Sequence, residues 1–197
     1  MPNLAISVWG DADTEEILRD IVLCREYNIG AISCTAASLP VLGNLSQTAR
    51  VYALIDNPKK IESISGRENV SVQLFMNPEK IEKSPYVGSV HLILALKLSE
   101  IQHQDWNRVF SSYQKTGAKG FLFIDEGGKY INRFYGFLNS APARELEIQY
   151  CAGTNDISII ESAYRLIKKI RPEFLPKFRL FVTRVFFGNL DNHKVSV

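Results

Sequence analysis

Apolar residues occur along the chain in short dense runs, separated by stretches of helical spacing. Eight runs have β character: Leu4–Trp9, Ile29–Thr35, Arg50–Asp56, Asn69–Met76, Val90–Leu98, Lys119–Asp125, Glu145–Cys151 and Phe178–Phe187. Most are nearly continuous in apolar residues rather than alternating, as expected for parallel strands covered on both faces. Between them, Asp13–Tyr27 places Ile17, Ile21, Val22 and Cys24 at helical spacing. Asp13 or Thr14 can cap that helix, and Glu15 and Glu16 suit its positive end. Gln104–Lys115 carries Trp106, Val109, Phe110 and Tyr113 on one face. Asp156–Ile170 carries Ile159, Ile160, Ala163, Leu166, Ile167 and Ile170, with Lys168, Lys169 and Arg171 toward its C-terminal end. Pro40–Leu45, Pro58–Ile64, Pro78–Lys83 and Tyr130–Leu138 read as further short helices.

Eight strands alternating with helices predict a (β/α)8 TIM barrel. No linker interrupts the pattern, so residues 1–197 read as one barrel domain. At 197 residues it is compact beside a typical barrel of about 250. The alternative is an open doubly wound parallel sheet of fewer strands.

Composition changes this picture little. Hydrophobic residues make up 46% and charged residues 22%, which is ordinary globular usage. A net charge of +2 gives no reason to expect nucleic acid or an anionic membrane as partner. The first residues lack a basic segment and reach acids after a short apolar run, unlike a signal peptide. No apolar stretch approaches the ~20 residues of a membrane helix. The three cysteines, Cys24, Cys34 and Cys151, are odd in number and lack CxxC spacing, and only three histidines are present. Reduced thiols, a cytoplasmic location, no metal and no cofactor are the expectation.

The stretch GAISCTAASLPVLGNL followed by RVYALIDNP, the run LKLSEIQHQDWNRVFSSYQKTGAKGFLFIDEGGK and the run IQYCAGTNDISIIESAYRLI together resemble the deoxyribose-phosphate aldolase family. The similarity covers most of residues 29–170 and implies a class I aldolase barrel that works through a Schiff-base lysine. The residues at the family's catalytic positions differ. The sixth-strand Schiff-base lysine falls at Ile124 or Leu122, and the seventh-strand partner lysine at Tyr150. The fourth-strand aspartate falls at Gln73 and the second-strand cysteine at Ser33. On the phosphate side, Gly128 and Lys129 match the family's Gly-Lys. Ala152-Gly153 match its Ala-Gly, with Thr154 in place of a second glycine.

The residues themselves offer a substitute amine. Alternation along HLILALKLS puts Ile93, Ala95 and Lys97 on one face and Leu94, Leu96 and Leu98 on the other. The leucine row suits the helix side, so Lys97 points into the barrel near the strand's C-terminal end, where active sites sit. A desolvated lysine becomes a usable nucleophile or base, which makes Lys97 a candidate relocated Schiff-base lysine. The other reading pairs it with Asp125 or Glu126, or lets it snorkel outward.

Asp125 and Glu126 are candidate proton shuttles beside Lys97, or residues starting a turn; Asp56 reads as a turn residue. Gly127, Gly128 and Lys129 can present N–H groups and an ammonium to a phosphate, or form a plain turn. Gly153 and Thr154 are similar, or belong to the N-cap of the next helix. Gln73, Ser33 and Gln149 are polar groups on apolar strands and either line a polar pocket or satisfy one another. Trp9 lines that pocket or plugs the barrel. Cys34 and Cys151 have no histidine placed to activate them and read as inert.

Two functions follow. One is a small-carbonyl lyase or isomerase with Lys97 as amine. The other is a barrel that has lost the family's chemistry and acts in binding or assembly. In either case the expected partner is a small-molecule ligand, phosphorylated or carbonyl-bearing. No nucleic acid or membrane partner is expected, and a homo-oligomer is left open.

Overall fold

The eight apolar runs close into a parallel barrel in sequence order. A computed structural model describes residues 3–9, 15–16, 19, 22, 26, 29–42, 49–64, 66–75, 90–101, 106–142, 146–154 and 156–182. The strands are β1 (Asn3–Val8), β2 (Ala31–Thr35), β3 (Arg50–Ile55), β4 (Val70–Phe75), β5 (Leu92–Lys97), β6 (Gly120–Ile124), β7 (Glu147–Cys151) and β8 (Phe178–Val182). Each pairs with its successor, and β1 closes on β8 through the register Asn3↔Arg179 to Ile6↔Val182. The open-sheet alternative is therefore excluded.

Alternation within the strands creates two separate cores. Ala5, Ala31, Tyr52, Leu54, Ile93, Ala95, Leu122, Ile124, Cys151 and Phe181 fill the barrel interior, with Trp9 and Phe75 packed against them. The opposite rows face the helices. There Phe121 and Phe123 of β6 meet Trp106, Phe110, Phe134 and Phe137, with Phe123 and Phe137 ring centroids 4.4 Å apart. Full burial of such side chains contributes roughly 1.5–3 kcal/mol each.

The helices follow their apolar stripes. Trp106–Thr116 buries Trp106 and Val109, and Ile131–Ser140 buries Phe134, Phe137 and Leu138. Ile157–Ile170 buries Ile160, Ala163 and Ile167 and ends in Lys168 and Lys169, favourable against the negative helix terminus. Its cap is Asp156, whose carboxylate accepts the Ser158 N–H at 2.9 Å. Thr154 acts one step earlier, accepting the Asp156 N–H at 3.2 Å. Pro40–Leu45 is represented by a helical turn at Leu39–Leu42, and Pro58–Ile64 by two consecutive turns. Of Asp13–Tyr27, the described residues 15, 16, 19, 22 and 26 are helical. Pro78–Lys83 and the last part of Phe178–Phe187 lie outside the described residues. Among the described residues, no helix is long and apolar enough to cross a membrane.

Candidate functional site

Lys97 occupies the last position of β5, in register with Ile124. It continues the inward row of Ile93 and Ala95 and reaches the C-terminal mouth of the barrel. Its ammonium lies 5.8 Å from the centroid of the Phe75 ring, at the end of the inward row of β4. Its ion-pair partner is Glu100, three residues on, at 3.8 Å. Both side chains are substantially exposed, at 41% and 65%. Lys97 is the sole lysine among the described residues of the eight strands.

The expected pairing of Lys97 with Asp125 or Glu126 is not found, because the phase of β6 forbids it. Leu122 and Ile124 face inward, so Asp125 turns outward under the helix layer, fully buried. One carboxylate oxygen of Asp125 accepts the Tyr150 hydroxyl at 2.7 Å, and the other accepts the Tyr130 N–H at 2.9 Å. Asp125 thus fastens β7 to the start of the next helix, and Glu126 is exposed on the following turn. Burial and the Asp125 carboxylate both push the Tyr150 phenol well above its ordinary value. Asp56, as read, belongs to a turn. It pairs with Lys60 at 3.2 Å, which holds its carboxyl below the usual range, while Asn57 accepts the Lys59 N–H.

The glycine loop is committed to the fold. Gly127 donates its N–H to the Ala152 carbonyl at 2.8 Å, and Gly128 donates to Asp125 at 3.3 Å. Both have φ of 72°, a region that favours glycine. A Cβ on Gly128 would meet Ile159 Cγ2 at 2.2 Å. These N–H groups are therefore unavailable to a phosphate. The exposed Lys129 ammonium is what this loop offers. The Gly153 backbone engages Cys151, and Thr154 holds the Asp156 N–H. The phosphate reading thus loses the Gly128 N–H as a donor, and at Thr154 the hydroxyl oxygen is taken by the helix cap.

Below the mouth, Ser33 and Gln73 are fully buried and belong to one hydrogen-bonded column. The Trp9 indole donates to the Ser33 hydroxyl at 2.7 Å, and Ser33 donates to the Gln73 carbonyl oxygen. The Gln73 amide donates to Gln149 at 2.5 Å, and Gln149 donates to Glu147 at 2.7 Å. Glu147 also accepts the Tyr52 hydroxyl at 2.5 Å. His91 and Arg179 approach its carboxylate at 3.4 and 3.6 Å. Buried polar groups need such partners, and Gln73, Ser33 and Gln149 supply them to one another. Glu147, Tyr52, His91 and Arg179 join this column without being among the candidates that the sequence singles out. The signal for Glu147 is the phase of ELEIQYC, in which Glu147 and Gln149 share one face.

The thiols are quiet. Burial pushes Cys34 up to about 12 and Cys151 up to about 11, far from a reactive thiolate. Among the described residues, no group of three or more His, Cys, Asp or Glu could hold a metal ion.

No family model and no curated protein matches the chain. Solved structures do. One described as "QR15, an Aldolase" is 12% identical, with a TM-score of 0.72 over 98% of this chain and 96% of that one. A putative deoxyribose-phosphate aldolase from Coccidioides immitis is 13% identical, with a TM-score of 0.70 over 92% and 81%. Phosphoribosyl anthranilate isomerase from Thermococcus kodakaraensis is 14% identical, with a TM-score of 0.58 over 92% and 88%. The chain therefore has the TIM-barrel fold, and its structural neighbours include aldolases.

Proposed function

We propose that this barrel is a divergent, aldolase-like protein that takes a small carbonyl metabolite at its C-terminal mouth, with Lys97 as the imine-forming amine of a carbon–carbon lyase. The observation that carries this reading is the placement of Lys97: the one strand lysine among the described residues, inward-facing, at the end of the barrel where this fold does chemistry. The Gly127 and Gly128 N–H groups are both engaged within the fold, which favours a carbonyl group over a phosphate as the part of the ligand read there.

In this mechanism the ammonium first loses a proton to solvent. The free amine then adds to the substrate carbonyl, and water leaves as the imine forms. The iminium of a β-hydroxy carbonyl substrate then loses its β-hydroxyl proton to the Glu100 carboxylate and the bond between its α- and β-carbons breaks, which leaves an enamine on Lys97 and releases the other fragment as a carbonyl compound. Protonation of the enamine carbon and addition of water return the amine. Glu100 takes the shuttle role first read at Asp125 and Glu126.

Borohydride trapping with a panel of small aldehydes, followed by peptide mass mapping, tests the assignment. The expected result is a reduced adduct on Lys97 that disappears in Lys97→Met. The exposed Lys97–Glu100 pair contributes at most about 1 kcal/mol, so the variant should keep its stability. An unlabelled Lys97, with surface lysines modified indiscriminately, would sink the assignment. That outcome would favour the second reading, a barrel that binds or assembles without chemistry. This reading is supported by the hydrogen bonds that occupy Gln73 and Tyr150 at the family's catalytic positions.

A further inference from the structure

The opposite end of the barrel holds a second concavity. Arg50 opens β3, Lys119 precedes β6, Arg179 sits near the start of β8, and Lys177 precedes β8. Because parallel strands all begin at this end, the four cations converge. With His91, Glu147 and Pro176 they line a pocket of about 300 Å³, the lower end of the small-molecule range.

Among the described residues that line this pocket, Glu147 is the one acid. That carboxylate already accepts from Tyr52 and Gln149 and faces both His91 and Arg179. Arg50 and Lys119 are exposed and have no acid partner among the described residues. The buried Arg179 Nε makes no hydrogen bond. Burial, reinforced by Arg50, Lys119 and Arg179, holds the His91 ring below its ordinary value despite Glu147. Like charges gathered in a concave wall focus a positive potential into it. Guanidinium and ammonium groups are the side chains that match phosphate oxygens.

We propose that this N-terminal pocket is a binding site for a small ligand bearing a phosphate-type dianion, free or as a monoester, held chiefly by Arg50 and Lys119. The site is independent of Lys97 and of any imine chemistry at the mouth.

Calorimetric titration with glycerol phosphate tests this, because that probe has no carbonyl to engage Lys97. Wild type should bind it saturably at one site. The double variant Arg50→Gln/Lys119→Gln should weaken binding at least tenfold, and Lys97→Met should leave it unchanged. Both substituted residues are exposed, and an unchanged melting curve verifies the fold. The single Lys119→Glu variant provides a second measurement. Competition by inorganic phosphate separates the two sources. Equal affinity means that the dianion alone is read, and weaker affinity means that the ester contributes; both uphold the site. The proposal fails if wild type shows no saturable binding, or if the double variant binds as well as wild type. It also fails if a single-stranded oligonucleotide displaces glycerol phosphate through the same two residues, which would make this a polyanion surface.

Discussion

The Asp125–Tyr150 pair shows how one residue's phase decides its role. Asp125 ends an apolar strand and looks like a mouth carboxylate, yet the inward row of β6 is Leu122 and Ile124, so the next side chain must face the helices. The same alternation makes the direction of Lys97 legible in the sequence. Its partner was not legible, because Glu100 reaches it from a turn rather than from a neighbouring strand. Tyr150→Phe should cost about 1–3 kcal/mol, since it leaves one oxygen of a buried carboxylate unsatisfied. Chemical denaturation of the variant measures this. A loss well below 1 kcal/mol would mean that Asp125 finds another donor.

At the level of elements, the strands were readable because a parallel barrel covers both faces of each strand and so demands nearly unbroken apolar runs. Most runs overshoot their strands by one or two residues where the chain turns into loops, while β1 begins one residue before Leu4. The engagement of the Gly127 N–H is not readable from the sequence, because its acceptor, the Ala152 carbonyl, is brought to it only when β6 and β7 pair. Gly120 is a further case. It starts β6 opposite Glu147, and a Cβ there would lie 1.9 Å from the Glu147 carbonyl oxygen. Gly120→Ala should therefore force the two strands apart and destabilise by roughly 1–3 kcal/mol or more. Gly30→Ala, with nothing within 4 Å of its added carbon, should stay within about 1 kcal/mol of wild type. Equal denaturation midpoints for the two variants would contradict this account of the close approach.

For the whole molecule, the half-buried His91 ties folding to pH. Unfolded, its ring takes a proton near pH 6.5; folded, burial and the nearby Arg50, Lys119 and Arg179 keep it neutral to lower pH. Below about 6.5 the unfolded chain thus binds the additional proton, and folding stability falls as pH drops. Urea unfolding at a series of pH values should show a shallower acid-side loss in His91→Asn than in wild type. Parallel curves would show that this ring does not contribute. The column beneath the mouth gives the molecule one more property. From Trp9 to Glu147 all four donors point the same way, so the amide dipoles of Gln73 and Gln149 add head to tail. The positive end of the pair meets the Glu147 carboxylate through Gln149, and the negative end accepts the Ser33 hydroxyl through Gln73. The interior column is in this sense electrically directional, with its positive end set against the Glu147 anion. Turning over a single carboxamide would set two carbonyl oxygens face to face and break that alignment.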